Sequence, residues 1–176
     1  MHRIVTAAAA LVLAVSGLTA SAALAADAAS DAATDAVSPA VVADLDGTPL
    51  AVADIPNHSC HDLDFPRIHC FAAAADLEAA VAAAQGDSAT SLNDYAVVYA
   101  GTYFSGSSLY ISQNYDALAI VGWNDRIRSY QGLNNGLGTF WTDWYATGSH
   151  LDFCCNANIA TLTTTFDQAI SSVYRR

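Results

Sequence analysis

The side chains best suited to covalent or metal chemistry are four cysteines, Cys60, Cys70, Cys154 and Cys155, and three histidines, His58, His61 and His69, clustered around the first two. The Cys-His adjacency does not fit the C-x2-4-C and H-x3-5-H spacings of structural zinc sites. In an oxidising compartment, disulfides are the better use of four thiols. Adjacent cysteines bond poorly to one another because the small ring strains the peptide between them. The economical expectation is therefore that Cys60 and Cys70 each bridge to one member of the Cys154/Cys155 pair. The alternative is a local Cys60–Cys70 loop, with the other two as free or vicinal thiols.

Nucleophilic catalysis finds no support. There is no Gly-x-Ser-x-Gly elbow and no His-Glu-x-x-His helix, and His150 falls inside a strand pattern. Asp143 and Asp152 are the only pair that invites an acid/base reading, and nothing in the sequence fixes their separation. The expectation is a protein that is not an enzyme. Trp141, Trp144 and Tyr145 form an aromatic group, of which two are expected in the core and one at the surface.

These residues sit in a chain with the marks of export. His2 and Arg3 precede an apolar run from Ile4 to about Val15, and Ala23-Leu24-Ala25 has the small-x-small form of a cleavage site. Residues 1–25 thus read as a signal peptide, which predicts a secreted, extracellular protein. The chain has six arginines, no lysine and 17 acidic residues, for a formal charge of −11. Such a surface is repelled by phosphate backbones and anionic lipid, which argues against nucleic-acid and membrane partners.

Residues 26–54 are rich in Ala, Asp, Ser, Thr and Val and lack aromatics, so they are expected to stay disordered. Residues 55–93 read as an irregular disulfide strap followed by a helix. That helix is expected over Ala72 to Gln85, with Gly86 as its stop and Leu77 and Val81 as a thin docking stripe. From residue 94 to 176 short alternating runs follow one another, separated by turn residues, as in an antiparallel sandwich.

Within that region Tyr99, Phe104 and Gly106 stand at a Tyr-x4-Phe-x-Gly spacing, and Ser129 arrives where a hydroxyl can bond back to the same hairpin. Asn124-Asp125-Arg126-Ile127-Arg128-Ser129 is echoed 43 residues later by Asp167-Gln168-Ala169-Ile170-Ser171-Ser172. Between them lies a looser opening motif, Trp141-x3-Tyr145-x2-Gly148. This pattern resembles the βγ-crystallin family. The resemblance implies an all-β, two-Greek-key sandwich over 94–176, preceded by the helix and strap.

In many microbial members of that family, segments of the form Asn/Asp-Asn/Asp-x-x-Ser/Thr-Ser bind calcium, each of two sites drawing on both copies. Here Arg128 stands where a hydroxyl should donate oxygen, and a guanidinium has no lone pair to give. The second copy has Gln168 in place of an acid. Of the candidate ligands Asn124, Asp125, Asp167 and Ser171, the resemblance therefore implies at most one calcium site, built from Ser171 with Asn124 or Asp125. The chain also resembles the small exported actinobacterial peptidase inhibitors of this fold, which block metalloproteinases. That implies a monomeric inhibitor of a secreted protease. No inhibitory-loop motif of that family is matched in this chain, and the Gly132–Gly138 connection and the Thr142–Gly148 turn are candidate contacts only because they read as exposed loops flanked by strands. A calcium-binding or killer-toxin-like module without inhibitory activity is the alternative.

Overall fold

The computed structural model describes residues 40–87 and 96–176. The expected signal peptide and the part of the 26–54 segment before residue 40 lie outside the described residues. From residue 40 onward that segment is not disordered. It forms β1 (Val42–Leu45) and β2 (Thr48–Leu50), an antiparallel hairpin with Leu45 opposite Thr48. Asp46 and Gly47 turn the chain, both at positive φ (48° and 80°). Two such residues between strands are what a tight hairpin requires. Composition argued for disorder, but β1 finds a parallel partner in β4 (Arg67–Phe71) that local sequence does not announce.

The expected strap is also sheet. β3 (Ser59–Asp64) and β4 pair antiparallel, with Cys60 opposite Cys70 and His61 opposite His69. Helix α1 (Ala74–Asp87) follows, shifted by two residues from expectation and running through Gly86. Leu77 and Val81 are buried, and α1 packs on β3 and β4. The thin stripe read from the sequence is the docking face.

The remaining strands are β5 (Ala96–Tyr99), β6 (Ser108–Ile111), β7 (Ser129–Gly132), β8 (Gly138–Trp141), β9 (His150–Phe153), β10 (Asn158–Ile159) and β11 (Ser172–Arg175). They build two sheets. One has eight strands in the order β10-β7-β5-β6-β3-β4-β1-β2, and the other has three, β11-β8-β9. Each half reaches into the other half's sheet, one by a strand and the other by a single bridge. β10, from the second half, pairs with β7, and Tyr115, from the first half, bridges to Val173 in β11. These two crossings tie the expected pair of Greek keys together.

The core lies between the sheets. Tyr130 of β7 packs on Phe140 of β8 and Phe153 of β9 with ring centroids 5.1 and 5.8 Å apart. Ile127 and Ile170, equivalent residues of the two halves, are both fully buried. Fully buried Asp62 of β3 accepts hydrogen bonds from the Ser112 amide (2.7 Å) and the Tyr115 hydroxyl (2.7 Å). The N-terminal strands are thereby locked to the first Greek key.

Candidate functional site

Two folded corners, one in each half, position every residue singled out by the sequence echo. In the first, the Ser129 hydroxyl accepts from the Phe104 amide (3.1 Å) and donates to the Gly101 carbonyl (2.7 Å). In the second, the Ser172 hydroxyl accepts from the Ala146 amide (3.3 Å) and donates to the Asp143 carbonyl (2.6 Å). Tyr103 and Phe104 hold φ of 55° and 58°, Tyr145 and Ala146 hold 56° each, and Gly106 and Gly148 both stand at 79°. A side chain at such a φ crowds its own backbone, so glycine is the least costly residue there. Tyr99 covers the first corner by packing edge-on against Phe104 at 5.7 Å. In the second corner alanine replaces that phenylalanine, and Trp141 stacks on His150 at 4.9 Å instead.

The acidic echo segments run between these corners and cross-bond. The Asp125 amide donates to the Ile170 carbonyl (3.0 Å), and the Gln168 amide donates to the Ile127 carbonyl (2.9 Å). This reciprocity places position 125 beside position 171, and position 168 beside position 128. At the first junction the Ser171 hydroxyl donates to Asp125 Oδ1 at 3.1 Å. That pair lines an open cleft of about 460 Å³, joined by Asp143, Thr142 and Ser149. Thr165 and the Gln168 amide complete the polar lining, in which carboxylate and hydroxyl oxygens, the donor chemistry that suits calcium, outnumber the one side-chain amide. At the second junction Arg128 grips Asp167 through two hydrogen bonds of 3.0 Å each. The same bonds raise the guanidinium above its already high pKa. A carboxylate that could serve a cation is thus occupied by a side-chain cation.

The backbone bonding repeats as closely as the hydroxyls do. The Arg128 amide donates to the Tyr99 carbonyl and the Ser171 amide to the Trp141 carbonyl, both at 2.9 Å. The chain's structural neighbours are βγ-crystallin domains. A βγ-crystallin from Ciona intestinalis is 18% identical, with 46% of this chain and 98% of that one covered, at a TM-score of 0.42. A domain from Flavobacterium johnsoniae is 23% identical, with 47% and 94% covered, at 0.42. An archaeal βγ-crystallin is 20% identical, with 47% and 96% covered, at 0.41. No protein-family model matches the chain, and no curated protein does.

Of the four metal candidates, Asp125 and Ser171 come together, whereas Asp167 is held by Arg128. Asn124 is turned to the surface, accepting from the Trp144 indole N–H (2.9 Å) and donating to Asp125 Oδ2 (2.7 Å). It orients the carboxylate from outside the cleft. Asp143 and Thr142 were not among the sequence candidates for this cleft. Their signal was position, because Thr142-Asp143 precedes Gly148 in the loose second motif, and Gly148 lacks the Cβ that would strike both side chains.

The thiols are not arranged as first expected. Cys60 and Cys70 are bonded to each other, and Cys154 and Cys155 are free and exposed. The register explains this, since Cys60 and Cys70 sit directly opposite on β3 and β4, buried at the sheet centre. Among the described residues no group of three or more His, Cys, Asp or Glu side chains converges to hold a metal. His61 packs against His69 at 5.2 Å, and His69 bridges Asp44 (3.0 Å) and Asp64 (3.2 Å). Burial, and then the charge of His69, lowers the His61 pKa to about 4. Asp152 bonds Thr139 and Arg176, apart from the Asp143 cleft. The aromatic trio also departs from expectation. Trp141 is half-buried, but both Trp144 (49% exposed) and Tyr145 (67% exposed) face solvent.

Proposed function

We propose that this chain is a secreted, non-enzymatic βγ-crystallin-like binding module that takes one calcium ion in the Asp125–Ser171 cleft. The observation that carries this reading is the 3.1 Å approach of the Ser171 hydroxyl to Asp125 inside an oxygen-rich cleft. Asp125 supplies the charge, Ser171 a neutral oxygen, and Asp143 a second carboxylate within reach of the same opening. Calcium would add a cross-link between the two echo segments, with no proton or redox chemistry. The mirror junction is already closed by Arg128 and Asp167, so the stoichiometry is one. An open site with few protein ligands fits the weak end of calcium affinities, about 0.1–1 mM as in extracellular modules. Titration calorimetry and calcium-dependent melting test this. The parent binds one ion and melts higher with calcium, and Asp125→Asn and Ser171→Ala each abolish both effects. No heat and no shift at about 10 mM calcium, well above that affinity range, would sink the reading.

A second reading, inhibition of a secreted protease by a monomer, draws support from the Thr142–Gly148 turn. It carries Trp144 and Tyr145 outward on a backbone held by Ser172 and by the Tyr145 amide's bond to the Asp116 carbonyl (2.8 Å). Exposed aromatics on a rigid loop lose little freedom on docking. A panel of metallo-, subtilisin-like and trypsin-like proteases tests it. Inhibition lost in Trp144→Ala/Tyr145→Ala at unchanged melting temperature supports the reading, and a fully active panel at micromolar protein counts against it.

A further inference from the structure

The turn after β9 carries two unbonded thiols side by side in a chain whose other two cysteines are oxidised. Its geometry is that of a tight β-turn leading from β9 in one sheet to β10 in the other. The Ala157 amide donates to the Cys154 carbonyl at 2.9 Å, and both central residues, Cys155 and Asn156, stand at a φ of 60°. Such turns favour Asn-Gly or Asp-Gly, so a cysteine at the first left-handed position works against the local backbone preference. The surrounding structure over-determines the conformation. Asn156 Oδ1 accepts from the Asn135 amide (2.8 Å), Asn156 Nδ2 donates to Asn135 Oδ1 (3.0 Å), and the Gly132 amide donates to the Ala157 carbonyl (2.7 Å). Strain held in place by neighbours marks places where backbone geometry serves a task. The effect here is to fix two free thiols side by side at the surface.

We propose that Cys154 and Cys155 form a thiol–disulfide exchange site whose substrates are small-molecule disulfides and whose oxidised form is the vicinal Cys154–Cys155 disulfide. Both thiols are free and exposed, so either can make the first attack and the two roles interchange. In one order, the Cys155 thiolate attacks one sulfur of the small disulfide. A protein–small-molecule mixed disulfide forms, and the first small thiolate leaves and takes up a proton. Cys154 then loses its proton to solvent and attacks the Cys155 sulfur. The mixed disulfide breaks, the vicinal disulfide forms, and the second small thiol leaves. The small disulfide has gained two electrons and two protons, and the protein has lost both. Adjacent Cα atoms lie only about 3.8 Å apart across a trans peptide, below the usual disulfide span, so the ring is strained. Exposed, strained disulfides are readily reduced, which makes the exchange reversible. Cys60–Cys70, buried between paired strands, is the stable counterpart and takes no part.

The experiment treats the full chain with cystamine, a cationic disulfide suited to an acidic protein, and follows intact mass and unreduced peptide maps. The expected parent product is a monomer that has lost two hydrogens, keeps no cysteamine and has Cys154 linked to Cys155. Mild reductant should reverse this while sparing Cys60–Cys70. Cys154→Ser and Cys155→Ser remove surface thiols from the folded domain. Each variant should accumulate a cysteamine adduct that the parent does not retain, because no second thiol is left to resolve it. A lasting adduct on the parent, a disulfide-linked dimer as its main product, or an unreactive pair of thiols would each overturn the proposal.

Discussion

Replacing Ser129 by alanine removes both hydrogen bonds that close the first corner. The hydroxyl is fully buried and serves as acceptor for the Phe104 amide and donor to the Gly101 carbonyl. Alanine fits the space and bonds neither, so a backbone N–H and a backbone C=O are stranded together. An orphaned buried polar group costs about 1–3 kcal/mol. Both stranded groups belong to half-buried residues where water gives partial relief, so the total should be about 2–3 kcal/mol. With a urea m-value near 2 kcal/mol/M for a domain of this size, the unfolding midpoint should fall by roughly 1–1.5 M at unchanged slope. Ser105→Ala is the internal control. Its hydroxyl donates to the Thr102 carbonyl (2.6 Å) in the same turn but is exposed, so its loss should cost less than about 0.5 kcal/mol. Equilibrium urea unfolding followed by tryptophan fluorescence measures both. A Ser129→Ala midpoint no lower than that of Ser105→Ala would refute the view that the serine ties hold the corners.

Gly106→Ala should cost about 1–2 kcal/mol, chiefly through its positive φ, since the nearest atom to its new Cβ is the Gly101 nitrogen at 3.4 Å, an ordinary contact. Gly148→Ala should cost more by thermal melting, because its Cβ also strikes the Asp143 carboxylate and Thr142 Oγ (2.5 Å), and it should weaken calcium binding while Gly106→Ala does not. Arg128→Ser with Gln168→Asp copies the Asp125–Ser171 arrangement into the mirror junction, so calorimetric stoichiometry should rise from one to two. Unchanged stoichiometry in a folded variant would argue against the symmetry. Acid should weaken the fold at His61, whose pKa falls from 6.5 when unfolded to about 4 when folded. Between those values the unfolded chain takes up a proton that the folded one refuses, so stability declines as pH drops from 6.5 toward 4. The loss is on the order of 2 kcal/mol, kept below the full conversion by partial solvent access to the ring. His61→Phe should flatten that dependence, and a parent curve already flat over that range would contradict it.

The corners were legible in the sequence because each depends on a residue type tied to one backbone task. Gly106 and Gly148 mark positive φ, and Ser129 and Ser172 arrive at a fixed offset with a hydroxyl. The strands from 96 onward were equally readable, since turn residues separate their alternating runs. The strands of residues 42–71 were not, because their order comes from distant partners. β1 and β3 find parallel neighbours in β4 and β6, which no local pattern encodes. Two signals were nevertheless present. Asp46-Gly47 is a strong hairpin dipeptide, and Cys60-His61 with His69-Cys70 forms a palindrome that aligns like with like across an antiparallel pair. At the candidate site the sequence named Ser171 with Asn124 or Asp125, of which the fold brings Asp125 and Ser171 together, and it singled out Arg128 as the residue out of pattern. It missed that Arg128 captures Asp167, because that bond follows from the crossing of the two echo segments.

The parallel pairing of β3 with β6 also determines where this chain tolerates being divided. A fragment starting at Ala96 would contain both Greek keys, yet β6 would lose its neighbour and present a bare row of amides and carbonyls. Leu109, now fully buried opposite Cys60, would lie beside that open edge. Such an edge is a template for a strand from another molecule. The four strands of residues 42–71 therefore act as a guard on the sandwich, keeping its first sheet from zipping onto its own kind. Proteolytic or genetic separation at the end of α1 should yield a species that folds and then self-associates.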